Sequence, residues 1–128
     1  MAGRVVHFEV PFDDVERATG FYRDVFGWQI QSVPDLDYHM VMSGPVGAEG
    51  MPTEPGYING GMFARAPQFP ATPVITIDVD DIDACLAQIE ASGGATVEKK
   101  IPVGEMGFAA YFKDPEGNVM GLWQSAPG

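Results

Sequence analysis

A nine-residue pattern of alternating apolar residues leading into Asp-Asp recurs in the two halves, and this internal duplication constrains the fold more than any other feature of the chain. His7-Phe8-Glu9-Val10-Pro11-Phe12-Asp13-Asp14-Val15 lies over Val74-Ile75-Thr76-Ile77-Asp78-Val79-Asp80-Asp81-Ile82 without a gap. A repeat of this kind means that one supersecondary unit is used twice. In the first copy Phe8, Val10 and Phe12 alternate with His7 and Glu9, and in the second Ile75, Ile77 and Val79 alternate with Val74, Thr76 and Asp78. Period-two alternation predicts a strand with one apolar and one mixed face.

A helix follows each strand. Asp13 or Asp14 caps the first, whose apolar positions Val15, Ala18, Phe21, Tyr22, Val25 and Phe26 recur at helical spacing before Gly27 stops it. Asp80 or Asp81 caps the second, with Ile82, Cys85, Leu86 and Ile89 as its buried stripe and Gly93-Gly94 as the stop. Three strands are predicted after each helix: 28–32, 38–43 and 57–64, then 96–103, 107–113 and 118–124. Turn signals at Pro34-Asp35 and Asp114-Pro115-Glu116-Gly117 predict hairpin-like, antiparallel connections.

Residues 66–73 carry Pro67, Pro70 and Pro73, a composition that makes a stiff connector. The single domain 1–128 therefore divides into module one over about 1–65 and module two over about 74–128. Gly44 to Gly56 is the longest irregular stretch and has no counterpart in the second module. It reads either as the edge of a binding site or as plain surface loop.

Composition narrows the function classes. The chain has 128 residues, 45% apolar and 20% charged, which fits one folded domain. Eighteen acidic against seven basic side chains give a net charge of −11, which opposes nucleic acid and anionic membrane surfaces. The one cysteine, Cys85, has no internal disulfide partner and reads as a small buried hydrophobe. The N-terminus lacks a signal-peptide pattern and no apolar run approaches the ~20 residues of a membrane span, so a cytoplasmic location is expected. No glycine loop leads into a helix in the manner of a phosphate-binding loop.

The stretches His7-Phe8-Glu9-Val10, Phe21-Tyr22-Arg23-Asp24-Val25-Phe26-Gly27-Trp28 and Asp114-Pro115-Glu116-Gly117-Asn118-Val119-Met120-Gly121-Leu122-Trp123-Gln124, set in a duplicated pattern, resemble the vicinal oxygen chelate superfamily. That superfamily includes glyoxalases, bleomycin-resistance proteins and extradiol dioxygenases, and the resemblance covers nearly the whole chain. It implies an α+β fold in which two tandem βαβββ modules form a cup-shaped, glyoxalase-like sheet, and a homodimer. It also implies a divalent metal held by four side chains from the first and last strands of the modules. Those four places fall on His7, Val74, Gly61 and Gly121, of which His7 alone is a usable ligand.

A catalytic divalent ion needs about three protein ligands plus water. The expectation is therefore no metal and no other cofactor, with His7 as the one weak ligand candidate. The alternative keeps a divalent metal on His7 with carboxylates such as Glu9 and Asp78.

The expected ligand pocket comprises His7, Glu9, Asn59, Gly61, Phe63, Thr76, Asp78, Gly121 and Trp123. Glycines at 61 and 121 open volume on converging strands. An apolar inventory of Tyr38, Met40, Met42, Phe63, Met106, Phe108, Tyr111, Phe112 and Trp123 suits a flat organic ligand or ordinary core. His7 is either a polar pocket group or a histidine bonded within the fold, and Glu9 and Asp78 are either acid/base groups or strand-borne structural carboxylates. His39 points away from the face of Tyr38, Met40 and Met42. No residue is assigned a catalytic role.

The expected function is binding of a small apolar or aromatic molecule. The alternatives are a metal-dependent lyase or dioxygenase using His7 with an unusual ligand set, and a protein-interaction module.

Overall fold

The computed structural model describes residues 3–34 and 37–127; Asp35 of the expected first turn lies outside them. Each copy of the repeat builds strand, helix and three strands. The first gives β1 (Val5–Phe12), α1 (Val15–Phe26), β2 (Gln29–Ser32), β3 (Tyr38–Met42) and β4 (Gly60–Ala64). The second gives β5 (Val74–Asp78), α2 (Ile82–Ala91), β6 (Ala95–Val103), β7 (Gly107–Lys113) and β8 (Val119–Ser125). The protein is thus an α+β fold of two βαβββ modules.

The same local chemistry starts both helices. Asp14 accepts from the Arg17 backbone N–H and Asp81 from that of Ala84, each occupying one of the orphan donors of a first turn. Gly27 ends α1 at φ 72°, a left-handed conformation that a side chain disfavours. α2 instead closes on Ser92, one residue before the expected Gly93-Gly94 stop.

Two compact units result, one spanning His7 to Pro73 and the other running from Val74 onward together with the residues before His7. The initial segment belongs with the second unit because Gly3 N–H donates to Asp78 O at 2.6 Å and Asp78 N–H donates to Arg4 O at 2.8 Å. The connector is packed on the first unit: Phe69 meets the Phe63 ring at 5.8 Å and Arg65 Nε donates to Ala71 O.

Strand order within the first unit is β2-β3-β4-β1 and within the second β6-β7-β8-β5. Consecutive strands pair antiparallel, as the turn signals predict, but the last strand of each module returns parallel to the first, β4 on β1 and β8 on β5. The register opposes Glu9 to Gly61 and Thr76 to Gly121, equivalent places in the repeat.

One face of each four-strand set carries the core. In the first unit Phe12, Ile30, Val41 and Met62 are buried, with Phe8, Val10, Trp28 and the α1 residues Ala18 and Tyr22 packed on them. Trp28 stacks on Tyr22 at 4.6 Å, so it belongs to the helix side. In the second unit Ile82 and Leu86 of α2 bury against Ala110, Phe112 and Leu122.

The apolar stripe read on α1 is wider than the strands cover. Phe21, Val25 and Phe26 stay 53%, 57% and 60% exposed, while Thr19 is the helix's buried residue, with its hydroxyl donating to Val15 O. Helical spacing identifies an apolar arc but not how much of it a neighbour reaches. Among the described residues, no helix is long and apolar enough to cross a membrane.

Candidate functional site

Side chains on the strand face opposite the helix follow from register. His7 and Glu9 of β1 alternate with the core residues Phe8 and Val10, and Gly61 and Phe63 of β4 lie beside them. Tyr38 pairs with Phe63 and Met40 with Gly61, so Tyr38, Met40 and Met42 share this face. His39 lies on the other side, edge-on to Phe12 at 5.7 Å, as its alternation predicts.

Three of these residues form one hydrogen-bonded chain. The Tyr38 hydroxyl donates to Glu9 Oε2 at 2.7 Å and lies 2.7 Å from His7 Nε2. Glu9 is 7% exposed, so this contact compensates for part of the cost of burying a carboxylate. Burial pushes the His7 pKa below its ordinary value, and the negative Glu9 works against that shift.

Gly61 makes the arrangement possible. A Cβ there would lie 1.8 Å from the Tyr38 hydroxyl oxygen, so any side chain at 61 competes with the phenol for the same volume. At the equivalent place in the second unit, a Cβ on Gly121 would lie 2.8 Å from Thr76 Oγ1 and 3.4 Å from Val74 Cγ1. Both glycines expected to open space instead accommodate a hydroxyl-bearing neighbour.

The remaining expected residues are placed as follows. Asn59 Nδ2 donates to Gly50 O at 2.7 Å, tying the Gly44 to Gly56 stretch to β4, while its Oδ1 is buried without a hydrogen-bond partner among the described residues. Phe63 is buried beneath Phe69. In the second unit Thr76 and Asp78 stand opposite Gly121 and Trp123, and the Trp123 indole lies over Gly107 and donates to Ser125 Oγ at 3.2 Å. Cys85 packs against the α2 core, and burial pushes its thiol pKa up, away from nucleophilic character.

The Gly44 to Gly56 stretch is held by internal bonds such as Gly47 N–H to Met51 O at 2.9 Å and by the neighbouring Tyr57, whose Oη donates to Pro45 O at 2.7 Å. Its first residues, Gly44, Pro45 and Val46, join Gly27, Gln29 and Met42 around an open groove of about 470 Å³. Met42 thus links the groove to the strand face that carries Tyr38.

These donors do not fit the four-ligand centre that the resemblance implies. His7 Nε2 is engaged by Tyr38, the two glycine places are filled by hydroxyl-bearing neighbours, and Val74 has no donor atom. No group of three His, Cys, Asp or Glu side chains is arranged to hold an ion among the described residues.

The geometry agrees with kinship. The family described as Bleomycin resistance protein-like N-terminal matches residues 4–44, which cover β1, α1, β2 and β3. A glyoxylase-like domain-containing protein of Didymella fabae is 31% identical over 91% of this chain and 90% of its own. The chain belongs to the vicinal oxygen chelate superfamily. A second superfamily relative, CFP32 of Mycobacterium bovis, carries a glyoxylase name and is 30% identical over 88% of this chain. The chain spans 42% of the length of CFP32.

Solved structures share the superfamily fold at lower identity. Methylmalonyl-CoA epimerase of Mycobacterium tuberculosis superposes with a TM-score of 0.62 at 16% identity, covering 98% of this chain and 89% of that one. The Streptomyces coelicolor enzyme of the same name, as a single-site variant in complex with 2-nitronate-propionyl-CoA, gives 0.63 at 17% identity over 99% and 100%.

Tyr38, expected only in the apolar inventory and not in the pocket, is the residue that joins His7 and Glu9. The signal was present in Gly61, a missing side chain beside a strand whose alternation carries one long phenol toward the same face.

Proposed function

We propose that this protein is a metal-free member of the superfamily that binds a small apolar or aromatic molecule against the first unit's strand face opposite α1. The observation that carries this reading is the Tyr38 hydroxyl, which sits in the volume that a ligand side chain at position 61 would need and engages His7 Nε2. The groove at Met42, together with Met40 and Tyr38 along the same strand face, supplies adaptable apolar surface beside a polar group. By the superfamily resemblance the protein works as a homodimer, and by its sequence pattern in the cytoplasm; sedimentation showing only monomer at micromolar concentration would count against the dimer.

The test is metal content of untagged protein, followed by thermal shift with manganese, nickel, zinc, iron and magnesium and then with a panel of aromatic compounds. The expected result is no chelator-reversible metal shift. A bound aromatic compound at a hundred times its Kd should stabilise the fold by about 2.7 kcal/mol. Near-stoichiometric metal with a chelator-reversible shift would favour the lyase or dioxygenase reading instead. Stabilisation by no compound at all would favour a protein-interaction role.

A further inference from the structure

A tyrosine hydroxyl has one proton to donate. Tyr38 donates it to Glu9 Oε2, and a carboxylate can only accept. Toward His7 Nε2, 2.7 Å away, the phenolic oxygen therefore presents a lone pair, and the proton in that contact belongs to the imidazole. In a neutral ring one nitrogen is the donor and the other the acceptor. The chain of bonds thus selects the tautomer with the proton on Nε2 and leaves the lone pair on Nδ1. No hydrogen bond reaches Nδ1 from any described residue, and the His7 side chain is half-buried, not sealed.

The three groups are oriented head to tail, from a lone pair at Nδ1 to a buried negative charge at Glu9. A donor approaching Nδ1 draws positive character onto the imidazole, which the Tyr38 hydroxyl and Glu9 behind it stabilise. The same carboxylate, and a net charge of −11, disfavour an anionic ligand at this position.

We propose that His7 Nδ1 is the specificity-determining atom of the site and accepts a hydrogen bond from a neutral small aromatic molecule bearing an O–H or N–H group. Glu9 and Tyr38 are positioning residues that hold the tautomer. The inference rests on the ligand-binding reading above and deepens it by naming the class of ligand. Burial keeps the ring neutral near pH 7 and so preserves the lone pair that the ligand needs.

The experiment uses the full chain labelled with ¹⁵N-histidine at pH 8, and the matched probes 2-naphthol and 2-methoxynaphthalene, which differ in the donor hydrogen. The ¹⁵N spectrum should show His7 protonated at Nε2, with the Nδ1 resonance moving on addition of 2-naphthol. That compound should bind about tenfold more tightly than its methyl ether, the size of one well-made hydrogen bond. In Tyr38→Phe the two tautomers should mix and the preference should shrink. In His7→Phe the preference should vanish while the methyl ether still binds.

A wild-type ring protonated at Nδ1 overturns the inference. Equal binding of the two probes overturns it and leaves the aromatic-ligand reading standing. Binding of neither probe overturns both together.

Discussion

The two modules treat one inherited place differently. Glu9 opposite Gly61 and Thr76 opposite Gly121 occupy the same positions in the repeat and the same register on a parallel strand pair. In the first unit a residue from a third strand, Tyr38 of β3, reaches over the glycine and links an acid to a histidine. In the second unit the glycine is approached by Thr76 and Val74 of the neighbouring strand itself. A duplicated scaffold keeps its backbone pairing because that depends on alternation and turns, whereas its chemistry is free to concentrate in one copy.

Equivalent substitutions in the two units should therefore have unequal effects. Gly61→Ala should be the most damaging, at about 3 kcal/mol, because its Cβ displaces the Tyr38 phenol and breaks both hydrogen bonds, one to a buried carboxylate. Gly121→Ala should cost about 1 kcal/mol, since its Cβ would meet Thr76 Oγ1 at 2.8 Å and that side chain must shift, but no side-chain hydrogen bond among the described residues is broken. Denaturant unfolding of both variants tests the difference, and equal costs would show that the hydroxyl chain contributes nothing to the first unit.

Tyr38→Phe should cost about 2 kcal/mol by depriving Glu9 of a donor. Thr76→Val, its counterpart, should be near neutral, because no hydrogen bond from Oγ1 is present among the described residues. A Tyr38→Phe variant as stable as wild type would remove the contrast.

The helix caps should sharpen the comparison from the opposite side. Asp14→Ala and Asp81→Ala should each cost about 1 kcal/mol, since both carboxylates accept from a first-turn amide in the same way. A large inequality between them would mean that the modules diverge in local structure as well as in chemistry.

The smallest effect concerns pH. His7 is lowered in the folded state, so the unfolded chain binds more protons over the interval between the two pKa values. Its contribution to stability is complete above the unfolded value of about 6.5 and declines as pH falls through the folded value. Chemical denaturation from pH 8 to pH 5 should show a decline that His7→Gln reduces. Both histidines of the chain, His7 and His39, lie in the first unit, so the second supplies no matching histidine-linked decline.

Legibility differed by region for physical reasons. Both helices, their aspartate caps and all eight strands were readable because they depend on residues within a few positions of one another. The expected pocket joined His7, Glu9, Asn59, Gly61 and Phe63 with Thr76, Asp78, Gly121 and Trp123, of which the first five lie in one unit and the last four in the other. The partnership of Tyr38 with His7 and Glu9 was not readable, since it joins residues about thirty positions apart through the length of one side chain. The exposure of Phe21, Val25 and Phe26 was likewise hidden, because periodicity marks apolar residues without showing what covers them.

By itself, then, the sequence determined a duplicated βαβββ pattern, an aspartate cap for each helix and the acidic character of the chain. All of these follow from residue identity and short-range spacing. Tertiary structure alone decided that the volume at Gly61 is filled by a tyrosine hydroxyl and that His7 presents Nε2 to it. That outcome depends on strand register, which aligns distant residues on one face and leaves the direction of each hydrogen bond to the number of protons available.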